Sequence, residues 1–156
     1  SFPESPIGGG PIVRVGDRAS VFSAELTNRI SAIAEEHAAR QSAFTWQRRL
    51  MTGGTCEATT FAAFGYEATC LCLPLGNYHN MTDIDQVHAG ARPAAVGPEI
   101  IAIEDFHGLI ELLVVTAATL DGPKAGSLRS RMETLFQTHR HLLAARSGRA
   151  HAREYA

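Results

Sequence analysis

Thirty residues, Met51 to Asn80, constrain this chain more than any other stretch: MTGGTCEATTFAAFGYEATCLCLPLGNYHN. Gly53 and Gly54 form a pair able to take backbone angles closed to other residues. Thr55 is placed to cap a helix whose first turn holds Glu57, a favourable charge at that end. The helix runs from Ala58 to Phe64 and stops at Gly65, a natural left-handed C-terminal residue. Ala68 to Leu73 is short, nearly all apolar and uncharged, which is the pattern of a strand covered on both faces. Upstream, Phe44 to Met51 has strand character, with Phe44, Trp46 and Leu50 on one face and Thr45, Gln47 and Arg49 on the other.

Strand, helix and strand in such close succession make a βαβ unit, so the two strands are expected to run parallel. The Gly53-Gly54 turn then leaves the carboxyl end of the first strand. The loop Pro74 to Asn80 leaves the carboxyl end of the second. Both fall on one edge, where open α/β sheets place their ligands. Position alone makes His79 a candidate site residue; the alternative is a loop histidine that binds no metal.

A chain of 156 residues supports one domain with a real core. No apolar run approaches the ~20 residues of a membrane span, so no membrane partner is expected. Ser1 to Pro6 lacks the basic and apolar regions of a signal peptide, and there is no initiating methionine. The three cysteines, Cys56, Cys70 and Cys72, are too few and too odd for a disulfide framework. They read as small buried hydrophobes in a reducing, cytoplasmic compartment. A metal site of Cys70, Cys72 and His79 is the sharper alternative, but a strand-borne Cys-x-Cys matches zinc spacing poorly.

Charge is unevenly placed. Residues 1–123 hold seven Arg and fourteen acids, a net of −7, whereas residues 124–156 carry a net of +5. The basic residues of that tail are interleaved with an amphipathic pattern, so they read as a solvated helix face rather than a nucleic-acid surface.

Residues 1–11 form a Gly- and Pro-rich entry in which Gly8, Gly9 and Gly10 either approach another backbone closely or act as linker, the linker being favoured. Ile12 to Val15 is a short strand, closed by Gly16-Asp17. A helix follows from Ser23 to Arg40 with Leu26, Ile30, Ile33, Ala34 and His37 on one face and Glu35 and Glu36 toward solvent. Met81 to Pro98 is loop; Asp83 and Asp85 in it either orient His79 or cap a turn, the turn being favoured. A helix from Glu99 to Leu120 presents Phe106, Leu109, Ile110, Leu113 and Ala117, and Asp121-Gly122-Pro123 breaks it. The last helix spans Ser127 to Arg146, with Ser147 to Ala156 fraying. His139 and His141 do not face each other on it. Dinucleotide, phosphate-loop, nucleophile-elbow and His-Glu-x-x-His motifs are absent. The expected fold is α/β: a mixed, largely parallel sheet covered by helices on both faces. Residues 1–122 form its body, an incomplete domain, and residues 123–156 a basic amphipathic helix and tail.

Thr52-Gly53-Gly54-Thr55 opening a helix, the Gly65 break, and an apolar strand ending in Tyr78-His79-Asn80 together resemble the C-terminal part of the catalytic domain of dinuclear-zinc aminopeptidases. The family in question is that of the glutamyl and tetrahedral aminopeptidases, within the wider zinc exopeptidase clan. The resemblance extends upstream to Ile7-Gly8-Gly9-Gly10-Pro11-Ile12 with Asp17-Arg18. Downstream it continues through Val87 to the helix of Glu99 to Leu113, so that it covers roughly residues 5–120.

The resemblance implies a zinc exopeptidase-like fold, two zinc ions (cobalt or manganese being substitutes), and two-metal hydrolysis of an N-terminal peptide bond. It implies that His79 is a metal ligand and that Gly53, Gly54, Thr55 and Cys56 line the pocket for a peptide substrate. A homo-oligomer is compatible with it. Two departures stand out. Cys56 occupies the position where the family has Asp, and the chain holds no His-x-Asp motif and no strand-borne Glu-Glu pair. The expectation is therefore a C-terminal piece of a longer enzyme, inactive alone, with its catalytic residues and other ligands in a missing N-terminal half. The alternative is a non-catalytic binding or assembly module on the same scaffold.

Overall fold

The structure is a computed structural model that describes residues 5–122 and 128–150, with side chains described as far as Leu142. The elements in order are β1 (Ile12–Gly16), α1 (Ala24–Arg40), β2 (Gln47–Leu50), α2 (Glu57–Ala63), β3 (Cys70–Cys72), a 3-10 turn at Tyr78–Asn80, α3 (Ile84–His88), α4 (Ile103–Thr119) and α5 (Leu128–Ala150). They fall into two compact units, residues 1–121 and 122–156. No helix among the described residues is long and apolar enough to cross a membrane.

The architecture of the first unit is mixed α/β around a three-stranded sheet of order β2-β1-β3. β1 is central and pairs parallel with β2 and antiparallel with β3. The parallel crossover is thus β1-α1-β2, not the unit expected around α2. β3 does not pair with β2, and it runs the other way. The sheet contains one parallel and one antiparallel pair rather than a largely parallel set. The connection from β2 to β3 does not cross back over the sheet: Cys70, the first residue of β3, pairs with Arg14 toward the carboxyl end of β1.

Side chains explain the central place of β1. Val13 packs with Ile30 and Ala34 of α1, Phe44 and Leu112, and Leu26, Trp46, Leu71 and Val115 close around that cluster. Ser23 caps α1 through its Oγ, which accepts the Leu26 N–H at 3.2 Å, and Glu35 and Glu36 are exposed as their spacing requires. Polar groups on the inner face of α1 are hydrogen-bonded. Thr27 donates to Thr69 at 3.0 Å and Arg48 to Asn28 at 2.8 Å.

β3 is an edge strand, and its residues are only half-buried, so the expectation of cover on both faces fails within these residues. β2 is the other edge. On it Gln47 is buried and Leu50 is exposed, the reverse of the expected faces. The Gln47 amide donates to the carbonyls of Pro6 and Gly10, both at 3.1 Å. A close backbone approach, not apolarity, thereby decides which way β2 faces.

The same happens on α4. Buried positions are Asp105, Leu112 and Thr116, whereas Phe106, Ile110 and Leu113, expected to face inward, lie 41 to 50 % exposed. A helix apolar around most of its circumference has no face that periodicity alone selects. Two contacts make the choice. Asp105 takes the N–H groups of Gly8 and Gly10 at 2.8 and 2.7 Å, and Gly108 lets Pro11 approach where a Cβ would come within 3.1 Å. The Gly8–Gly10 segment is therefore a close backbone approach rather than a linker.

In the second unit α5 continues to Ala150, past the expected end at Arg146, and its described side chains from Leu128 to Leu142 are all exposed. The fraying expected for residues 147–156 falls partly on residues 151–156, which lie outside the described residues.

Candidate functional site

Asp17, at the carboxyl end of β1, organises the Gly53–Cys56 turn. Its carboxylate is 6 % exposed and accepts the N–H groups of Ala19 and Ser20 at 2.8 and 2.9 Å and that of Cys56 at 2.8 Å. The Thr59 hydroxyl also donates to it. Burial by itself raises such a carboxyl, but the hydrogen bonds from Thr59, Cys56, Ala19 and Ser20 outweigh it and hold Asp17 well below the usual carboxylate range. Arg18 N–H donates to the Gly54 carbonyl at 2.9 Å. The turn is thus tied to β1 from both sides.

Helix α2 spans Glu57–Ala63, one residue earlier at each end than the expected Ala58 to Phe64. Cys56, not Thr55, is its N-cap residue, without a side-chain cap. The Asp17 carboxylate, from another segment, takes the Cys56 N–H. Gly65 ends the helix region at φ +86°, as its type allows. Gly53 and Gly54, by contrast, are not among the glycines with positive φ.

His79 lies in a stretch of unusual backbone. Asn77, His79, Asn80 and Asp83 all have φ between 51° and 60°, a region that costs a residue with a Cβ of the order of 1–2 kcal/mol. The His79 N–H donates to Glu99 Oε1 at 2.8 Å, and its exposed ring packs on Tyr78 with centroids 4.0 Å apart. Asn77 and Asn80 hold the loop from the other side by donating to the carbonyls of Pro98 at 2.8 Å and Gly97 at 3.2 Å. A short bridge, Met81 to Val96, closes the base of a segment that was expected to be plain loop and that contains α3.

Strand directions place the two candidate segments differently from expectation. The carboxyl ends of β1 and β2 share an edge, but Cys72, which ends β3, sits opposite Ile12 at the other edge. The loop after β3 nevertheless comes back to the turn through one side chain. The Tyr78 hydroxyl lies 3.6 Å from where a Cβ on Gly54 would stand. Tyr78 also lines a cleft of about 320 Å³ together with Leu75, Asn77, Met81, Asp83 and Asp85. Asp83 begins α3 and pairs with Arg92 at 2.7 Å. The Asp83 side chain caps neither the turn nor the helix, and the carboxylate that reaches His79 is Glu99, through the backbone N–H.

Sequence reasoning missed what Asp17, Asp105 and Glu99 hold: Asp17 has local partners in Ala19 and Ser20, but the Cys56, Gly10 and His79 N–H groups lie 39, 95 and 20 residues from the carboxylates that accept them. Among the described residues no three His, Cys, Asp or Glu side chains converge where a metal ion could sit. Cys70 and Cys72 on β3 do not form a donor set with His79, and Glu99 binds its backbone rather than its ring. A dinuclear zinc centre does not fit the donors of the described residues alone.

No protein-family model and no curated protein matches the chain. Solved structures do. PhTET1-12s, a dodecamer in the asymmetric unit, superposes with a TM-score of 0.50 at 20 % identity, over 73 % of this chain and 28 % of its own. A TET aminopeptidase from the marine sediment archaeon Thaumarchaeota archaeon SCGC AB-539-E09 gives 0.52 at 18 % identity, over 74 % and 27 %. Aminopeptidase APDkam598 from the archaeon Desulfurococcus kamchatkensis gives 0.51 at 18 %, over 78 % and 29 %. The chain spans little more than a quarter of the length of each, and over that span it has the fold of a part of these aminopeptidases.

Proposed function

We propose that these residues are one part of a zinc-dependent aminopeptidase that hydrolyses N-terminal peptide bonds by a two-metal mechanism. In this reading His79 contributes one metal-binding imidazole and the turn of Gly53, Gly54, Thr55 and Cys56 contributes part of the peptide pocket. The observation that carries it is the presentation of His79. Its backbone is pinned by Glu99 in a left-handed conformation, its ring is exposed, and its neighbour Tyr78 reaches Gly54. Strain of this kind persists where surrounding contacts enforce it and is concentrated at functional sites. The likeness in fold to aminopeptidases supports the same reading.

A neutral imidazole suits zinc, with cobalt or manganese as substitutes. Because the described residues do not close a metal site, the other ligands and the catalytic base are assigned to a preceding part of the complete polypeptide. The homo-oligomer belongs to the proposal as well. A non-catalytic assembly module is the second reading, and the exposed apolar side of α4 (Ile103, Phe106, Ile110, Leu113 and Val114) favours it.

Metal content and hydrolysis of aminoacyl-p-nitroanilides, measured on the complete polypeptide and on its His79→Ala variant, decide between them. The enzyme reading expects both to fall in the variant; unchanged metal stoichiometry would remove His79 from the ligand set. The 156 residues alone are expected to show no turnover with added zinc, and tight binding of two zinc ions by them would overturn the need for a missing part.

A further inference from the structure

Helices α4 and α5 carry the same unused pattern. Along α4 the exposed side chains Ile103, Phe106, Ile110, Leu113 and Ala117 recur at alternating steps of three and four residues. Along α5 the exposed Leu128, Met132, Leu135, His139 and Leu142 recur at alternating steps of four and three. Such spacing makes the seam by which one helix packs against another in a coiled coil. Both seams have the same length, about 21 Å of helix. Their large apolar members are 41 to 59 % exposed in the single chain.

We propose that α4 of one copy takes α5 of a second copy, antiparallel, and that the reciprocal contact closes a two-fold dimer. The register selects this direction. Read in opposite directions the two seams have the same order of steps. Ile103 then meets Leu142, Phe106 meets His139, Ile110 meets Leu135, Leu113 meets Met132 and Ala117 meets Leu128. Read in the same direction, the steps agree only after a slip that leaves one residue of each seam without a partner.

Charge selects the partner. Residues 1–123 carry a net of −7 and residues 124–156 a net of +5. Within the helices, α4 has Glu104, Asp105 and Glu111 and no Lys or Arg, whereas α5 has five Arg and one Glu. Pairing α4 with α4, or α5 with α5, sets like charges together, and pairing α4 with α5 sets opposite ones. This gives the proposed homo-oligomer a surface without resting on the aminopeptidase chemistry, because its readout is mass rather than turnover.

The test is the mass of the 156-residue chain in solution, by sedimentation from submicromolar to high micromolar concentration. A rise from one chain to two is expected, with the outer side of α4 bare at the dilute end. Ile110→Glu and Leu135→Glu place a charge in the same layer from opposite helices, at residues 46 and 50 % exposed in the single chain. Each alone should raise the dimer dissociation constant about tenfold or more, since a buried unpaired charge is costly. An equimolar mixture of the two keeps one intact α4–α5 contact per pair and should form mixed dimers more tightly than either variant by itself. Leu113→Glu and Met132→Glu repeat the test one layer on. A chain that stays monomeric at every concentration, as it would with α5 folded onto its own α4, overturns the proposal. So does a dimer weakened by changes in only one of the two helices, which is self-pairing, or a mixture no tighter than its parts.

Discussion

Asp105 accepts the backbone N–H of Gly10 at 2.7 Å, a buried bond that spans 95 residues of sequence. With the bond from Gly8 it fills a pair of amides that would otherwise be orphaned or open to an anion. Replacing Asp105 with Ala leaves those donors without a partner in a site only 1 % exposed. The expected loss of stability is about 2–4 kcal/mol, read as a lower denaturation midpoint in urea. An unchanged midpoint would mean that Asp105 does not set the register of α4.

The two flanking glycines separate backbone strain from collision. Gly8 and Gly10 both have positive φ, at 82° and 86°. A Cβ on Gly8 meets open space, whereas on Gly10 it runs into the Thr45 carbonyl. Gly8→Ala is therefore expected to cost about 1–2 kcal/mol and Gly10→Ala about 3 kcal/mol or more. Equal losses in thermal denaturation would refute the close approach of Gly10 to the Thr45–Trp46 backbone just before β2.

Asp17 carries a pH dependence whose sign follows from its hydrogen bonds. Its folded pKa is depressed, so its contribution is present above the unfolded value, about 3.9, and is lost as pH falls below that toward the folded one. Stability measured from pH 6 downward should begin to drop near pH 4. Asp17→Asn should be less stable above pH 4 and should flatten the slope below it. A variant with the wild-type slope would show that another carboxylate governs acid unfolding.

Neighbouring leucines on α4 test which way that helix faces. Leu112 is 0 % exposed and Leu113 is 50 % exposed. In the 156-residue chain Leu112→Ala should cost about 2–5 kcal/mol and Leu113→Ala only about 0.5 kcal/mol. The reverse order would restore the stripe that the sequence pattern favours. If the complete polypeptide covers the outer side of α4, Leu113→Ala should cost more there than in the shorter chain.

What the sequence determined by itself was local. Ser23 caps α1, Ile30 and Ala34 give it an inward face, Gly65 ends the region of α2, and the Cys70–Cys72 run forms a strand. Each depends on neighbours within a turn or on alternation along a strand, and such preferences are written in adjacent residues. His79 was picked out by its place after an apolar strand, and the structure puts it on an exposed, pinned loop. Tertiary structure alone decided which strands pair, which side of α4 is buried and what reaches His79. β2 and β3 take opposite sides of β1, one parallel and one antiparallel, and no pattern local to either strand encodes that pairing. α4 turned on Asp105 and Gly8–Gly10, and the Gly53–Cys56 turn was tied down by Asp17, through bonds between residues 39 to 97 apart. A buried carboxylate collects whatever amides the fold delivers to it, so its partners become visible only once the chain has folded.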